Sequence, residues 1–153
     1  MSQAPSQKIL QDLLAQPHLA NIYRLPQHGL TGLNRAAKAL GFACFKVDLQ
    51  ASGHMGKILS ALGHDLHFPE WYSANLDALN DCLTDFSWRE APGYLITIDG
   101  AGAVLAEHSN FASLNEVLAN AIAEWQARDV PFWIFYTLSD TARSDGLATF
   151  PPA

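Results

Sequence analysis

Long apolar runs are missing from this sequence: no segment approaches the roughly 18 uninterrupted apolar residues of a membrane-spanning helix. Positive charge is scarce too. Nine Lys and Arg stand against fifteen Asp and Glu, a net charge of −6. That balance argues against a protein that holds nucleic acid by its phosphates, which needs clustered Lys and Arg, and it suits a basic partner. Two cysteines, Cys44 and Cys82, are too few for a disulfide framework. One sits in an expected strand and the other beside an apolar helix stripe, which predicts buried free thiols. The start, Met1-Ser2-Gln3-Ala4-Pro5-Ser6, lacks the charged-then-apolar order of a secretory signal, so a cytoplasmic location is expected. There is no internal repeat and no low-complexity block. With 49% hydrophobic residues over 153 positions, the composition is that of one ordinary globular domain.

Signatures of chemistry are equally thin. Gly53-His54-Met55-Gly56-Lys57-Ile58 has its first Gly too close to the Gly-Lys pair for a phosphate loop, and Ile58 replaces the magnesium-binding Ser or Thr. A helix start explains it better. Gly100-Ala101-Gly102 has Leu105 where a dinucleotide fingerprint requires Gly or Ala. His64 and His67 form one His-x-x-His pair around Asp65, without a second ligand pair at zinc spacing, and read as solvated loop histidines. Neither cysteine belongs to a nucleophile signature, and no carboxylate pair is marked for acid/base work. No enzyme activity, cofactor or metal is expected.

What is present is alternation of helix and strand patterns. Ser6 can cap a short helix with Ile9, Leu10, Leu13 and Leu14 inward. Asn21-Ile22-Tyr23-Arg24-Leu25, stopped by Pro26, predicts a short edge strand, Gln27-His28-Gly29 a turn, and Thr31 or Asn34 a second cap for a helix through Leu40 that Gly41 ends. Residues 1–41 thus form an extension packed on a domain spanning 42–138. In that domain Phe42–Leu49, Tyr94–Ile98 and Phe132–Leu138 predict strands, the last with both faces buried. His54–Leu62 and Ser113–Arg128 predict helices, the second with Leu114, Val117, Leu118, Ala121, Ile122 and Trp125 inward. Residues 139–153 read as a tail. Strands separated by helices imply an α/β fold with a small, mainly parallel sheet.

One further helix, expected from about Ser73, has two chemically opposite faces. Leu76, Leu79, Leu83 and Phe86 form an apolar stripe with Cys82 beside it. Asp77, Asp81 and Asp85 recur every fourth residue on another face, next to Asn80. Like charges at that spacing cost about 0.2–0.5 kcal/mol per pair, and Asp81 and Asp85 lie near the end where the helix dipole disfavours anions. No Lys or Arg occurs between Lys57 and Arg89 to offset this. A solvated acidic face is the bland explanation. Pro69-Glu70-Trp71-Tyr72 at the helix entrance adds aromatics and another acid, which favours a surface that grips a basic partner.

The run Pro69-Glu70-Trp71-Tyr72-Ser73-Ala74-Asn75-Leu76-Asp77-Ala78-Leu79-Asn80-Asp81-Cys82-Leu83-Thr84 resembles, without gaps, the core motif of barstar-family ribonuclease inhibitors. The resemblance covers the chain from Phe42 to Leu138. It implies three parallel strands with helices around them, or four if the extension adds one. It also implies a protein partner, a basic ribonuclease of secreted or toxin type, whose cationic cleft the acidic helix would block. Position by position, Trp71 matches an aromatic that packs on the enzyme, and Asn75, Asp77 and Thr84 match polar contacts. Asp81 matches the central anion that replaces a substrate phosphate. Phe86 falls where a relative carries Trp, and Glu124 matches a further acidic contact. Asn80, on the same surface, replaces a Trp and removes an apolar contact. The alternative is an interaction module that uses this acidic face on a different basic protein.

Overall fold

The computed structural model describes residues 6–25, 29–137 and 147–150. Its centre is the most apolar stretch of the chain. Phe132–Thr137 form strand β4, and every one of these residues is buried. On one side β4 pairs with β3 (Tyr94–Asp99), which pairs with β2 (Ala43–Asp48). On the other it pairs with β1 (Ile22–Leu25), which pairs with β5 (Ala148–Thr149). The order is β2-β3-β4-β1-β5 and every pairing is parallel. The register aligns Phe45, Ile96, Ile134 and Ile22 in one row across four strands.

Side chains alternate between the two faces of this sheet, and each face has its own cover. Toward one side point Phe132, Tyr94 and Tyr136. They meet helix α6 (His108–Ala127): Trp125 stacks on Phe132 at 5.9 Å, and the Tyr136 hydroxyl donates to Asn115 Oδ1 at 2.6 Å. Helix α4 (Leu76–Asp85) lies on the same side, with α3 (Met55–Asp65) beside it and the short α5 (Gly102–Ala106) ahead of α6. Toward the other side point Trp133 and Phe135, stacked on Tyr23 at 5.8 and 5.9 Å. There the Trp133 indole N–H donates to the Leu14 carbonyl of α1 (Gln7–Leu14) at 2.9 Å, and α1 packs on α2 (Leu30–Ala39). Burial on both faces is why β4 shows no polar alternation. Among the described residues no helix is long and apolar enough to cross a membrane.

Several local expectations hold. Ser6 caps α1 by accepting from the Ile9 N–H at 3.2 Å, and Gly41 follows α2 with φ +80°. Others change. The sheet has five strands, and the strand expected at an edge is internal, because β5 pairs with its free side. Of the segment read as a tail, residues 148–149 join the sheet and Phe150 is buried edge-on to Tyr23, Trp133 and Phe135. Ile9, expected inward, is exposed. Neither Thr31 nor Asn34 caps α2, which starts at Leu30 after Gly29. Residues 1–5, Pro26 and the turn expected at Gln27-His28, and positions 138–146 and 151–153 lie outside the described residues.

The packing of Phe150 gives a direct test. Phe150→Ala is expected to lower stability by about 3 kcal/mol, the cost of truncating a buried Phe, measured by urea denaturation; a peripheral tail would give almost no change.

Candidate partner-binding site

The site begins with an anchor. Tyr72 lies over α3, where its hydroxyl donates to the Leu59 carbonyl at 2.8 Å and its ring meets Phe68 edge-on at 4.8 Å. This approach requires glycine at position 63, since a Cβ there would lie 2.5 Å from Tyr72 Cε2. With Tyr72 held inward, its neighbour Trp71 is turned out and stays 56% exposed, rare for so large an apolar side chain.

Asn75 then starts α4. Its Oδ1 accepts from the Ala78 N–H at 2.7 Å and its Nδ2 donates to Ser73 Oγ at 2.9 Å, so this amide is the N-cap. The helix therefore begins at Leu76, later than its sequence pattern suggests. Asp77 sits in the first turn, where the dipole favours it, and Asp81 and Asp85 follow on the exposed side. Among the described residues the carboxylates of Asp77 and Asp81 have no hydrogen bond or ion pair. Asp85 differs, accepting from Ser87 Oγ at 3.2 Å. The helix stops at Phe86, in the left-handed region at φ 47°. Such a conformation costs a non-Gly residue about 1–2 kcal/mol, and full burial of the ring among Phe45, Phe68, Trp88, Tyr94 and Phe132 offsets it.

The C-terminal half of α4 is tied to α6. Trp125 Nε1 donates to the Leu83 carbonyl at 2.7 Å, and Arg128 Nη1 donates to the Thr84 carbonyl at 2.6 Å while stacking 4.5 Å from the Trp125 ring. Asn120 Nδ2 donates to Asn80 Oδ1 at 2.7 Å. Arg128 thus brings the cation that the local sequence lacks to the end of α4 where the dipole needs it. Glu124, exposed, falls between Asn120 and Arg128 in the helical repeat.

These contacts sort the expected site residues. Trp71, Asp77, Asp81 and Glu124 are exposed. Trp71, Asn75, Asp77 and Asp81 line one concavity. Asn75, Asn80 and Thr84 make structural bonds of their own, Thr84 Oγ1 donating to the Asn80 carbonyl at 2.8 Å, and Asn80 and Thr84 are not in the lining of this concavity. Phe86 is not on this surface: it is fully buried because it ends the apolar stripe of Leu79 and Leu83. Sequence reasoning missed Asn120 and Arg128, 40 and 44 positions from their α4 partners, where no local pattern marks them.

Beneath the acidic face Cys82 is fully buried. Burial first, then the carboxylates of Asp81 and Asp85, push its thiol up to about 11. Burial first, then Cys82, pushes the Tyr72 phenol up to about 12. In the unfolded chain the thiol ionises near its ordinary 9.0, so above that pH the unfolded state binds fewer protons than the folded one. The stability linked to the neutral thiol is complete below about 9 and lost as pH rises to about 11. Urea midpoints on either side of pH 9 are expected to fall more steeply in the unsubstituted protein than in Cys82→Ala; parallel decline would show that Cys82 ionises normally.

Comparison with known proteins bears on fold and family separately. The Aeropyrum pernix ORC2 protein in its ADP form aligns with 88% of this chain at 15% identity and TM-score 0.56. Its ADPNP-ADP complexes align over the same share at 17% identity and TM-score 0.53. Drosophila ORC bound to AT-rich DNA and Cdc6 aligns over 88% at 12% identity and TM-score 0.51. This chain spans only 40% of the ORC2 chains and 47% of the Drosophila chain, and at such identities the likeness is one of fold alone. No curated protein matches the sequence. The profile described as Barstar (barnase inhibitor) matches residues 42–137, which hold β2 to β4, the acidic helix and the helix that clamps it. On that match, over most of its length, the chain belongs to the barstar family.

Proposed function

We propose that the chain is a protein inhibitor of a basic ribonuclease of secreted or toxin type, acting by occupation of the cationic cleft. A ribonuclease cleft is positive because it binds phosphates, and a rigid anionic helix can fill the same subsites. The observation that carries this reading is the exposed Asp77–Asp81 stripe, which has no cation partner among the described residues and stands beside the exposed ring of Trp71. Asp81 lies mid-helix with its carboxylate free and is the group we assign to the central phosphate position. Trp71 supplies a large apolar contact at the rim, and Asp77 and Glu124 add flanking negative charge. Asn75, Asn80 and Thr84 hold the helix in shape through their own hydrogen bonds.

A second reading has its own observation. Asn80 is bonded to Asn120, so the middle of the surface is polar and fixed rather than apolar. That favours a partner with a polar group at this point, including a basic protein that is not a nuclease.

RNA cleavage by a panel of small basic ribonucleases, titrated with this protein, separates the two. Stoichiometric inhibition of at least one enzyme is expected. Asp81→Ala should weaken it by about 30-fold or more, the scale of an interface hot spot. Asp85→Ala should cost only a few-fold, because that carboxylate is partly engaged by Ser87. Equal losses would remove Asp81 from the central position. The association rate should fall steeply between low and physiological salt; a salt-independent rate would rule out electrostatic steering.

A further inference from the structure

α4 and α6 run side by side in the same direction, as the ties Asn80–Asn120, Leu83–Trp125 and Thr84–Arg128 require. Toward the N-terminal end of α4 a groove opens between them. Leu76, Asp77 and Asn80 form one wall, and Glu116, Val117 and Asn120 the other. Neither helix contains a Lys or Arg within its bounds. Asp77 and Glu116 are exposed, and among the described residues neither carboxylate has an ion pair. Leu76 and Val117 are partly buried against the core, which gives the groove an apolar lining. Leu76 and Asp77 also line the concavity that holds Trp71 and Asp81, so Asp77 stands on the ridge between two depressions.

We propose that this groove is a second docking site for the same basic partner, receiving one of its long cationic side chains, lysine or arginine. The site would take the two parts of such a side chain separately. The methylene stem lies on Leu76 and Val117, and the charged head lies between Asp77 and Glu116. The bonded amides of Asn80 and Asn120 supply a fixed polar end to the groove. A bulky aromatic at position 80 would fill this space; the short, tethered amide of Asn80 keeps it open. A partner seated this way holds α4 from both flanks, one cation against Asp81 and another between the helices. This extends the reading of a basic partner and rests on it only for the partner's charge.

The test uses a triarginine peptide as probe, titrated at low salt into the full chain and followed by NMR of the side-chain amides. Saturable movement of the Asn80 and Asn120 amide signals is expected. Glu116→Gln should weaken the peptide by about two- to five-fold, the scale of one exposed ion pair, and Ser113→Arg, at a residue that also lines the groove, should abolish the movement by placing a cation there. Still Asn80 and Asn120 signals, or a Glu116→Gln variant that titrates like the unsubstituted protein, would overturn the groove. A ribonuclease arm separates this outcome from failure of the inhibitor reading. If Asp81→Ala abolishes inhibition while Glu116→Gln and Ser113→Arg leave it unchanged, the groove is wrong and the inhibitor stands. If no ribonuclease is inhibited yet the Asn120 amide titrates, the groove stands and the inhibitor is wrong.

Discussion

The docking of α4 on α6 is the interaction on which the site depends. Three aspartates at four-residue spacing repel one another, and the last, Asp85, opposes the helix dipole. Left to itself, such a helix would gain from a basic residue on its own surface, and it has none. Its stability comes from elsewhere. Leu79, Cys82 and Leu83 are fully buried beneath it, and Asn75 caps its start. The indole of Trp125 and the guanidinium of Arg128 bind its last carbonyls. Because Arg128 binds the Thr84 carbonyl near the end of the helix, the carboxylates of Asp77 and Asp81 stay unpaired among the described residues. The helix can therefore be both held in place and strongly anionic, which the proposed occupation of a cationic cleft requires.

Rigidity on the other flank has a separate source. Tyr72 is bonded into α3 and closes on Gly63. The turn before α4 is thereby fixed, and Trp71 is presented without its own ring being packed away. Phe86 performs the matching task at the far end. It gives up a place on the surface, ends the helix in a left-handed conformation and fills the core between α4 and the sheet.

How much of this was legible in the sequence follows from the range of each interaction. The alternating helices and strands, the buried β4 and the two-faced α4 all come from local periodicity, which places the elements but not their ends: α4 begins at Leu76 rather than near Ser73, and α6 at His108 rather than Ser113. The contiguous motif from Pro69 to Thr84 pointed to the family that the profile over residues 42–137 bears out. The internal position of β1 was not legible, because it depends on β5 pairing from the far end of the chain. The burial of Phe150 was hidden for the same reason. Within the site, periodicity could place Asp77 and Asp81 outward, but it left Phe86 ambiguous. That residue falls on the apolar stripe and also at a position where the family resemblance implies contact. The bonds from Asn120 and Arg128 to α4 had no local signal at all, and they determine which polar groups remain free.

The central claim is that the acidic face of α4 takes the place of substrate phosphates in a ribonuclease cleft. It is tested most directly by competition: inhibition kinetics of a sensitive basic ribonuclease, measured with increasing concentrations of a short, non-cleavable oligonucleotide. The account predicts that the apparent inhibition constant rises in proportion to oligonucleotide occupancy, with no inhibited ternary complex. An inhibition constant that does not change as the cleft fills with oligonucleotide would show that this face binds elsewhere, and would contradict the account.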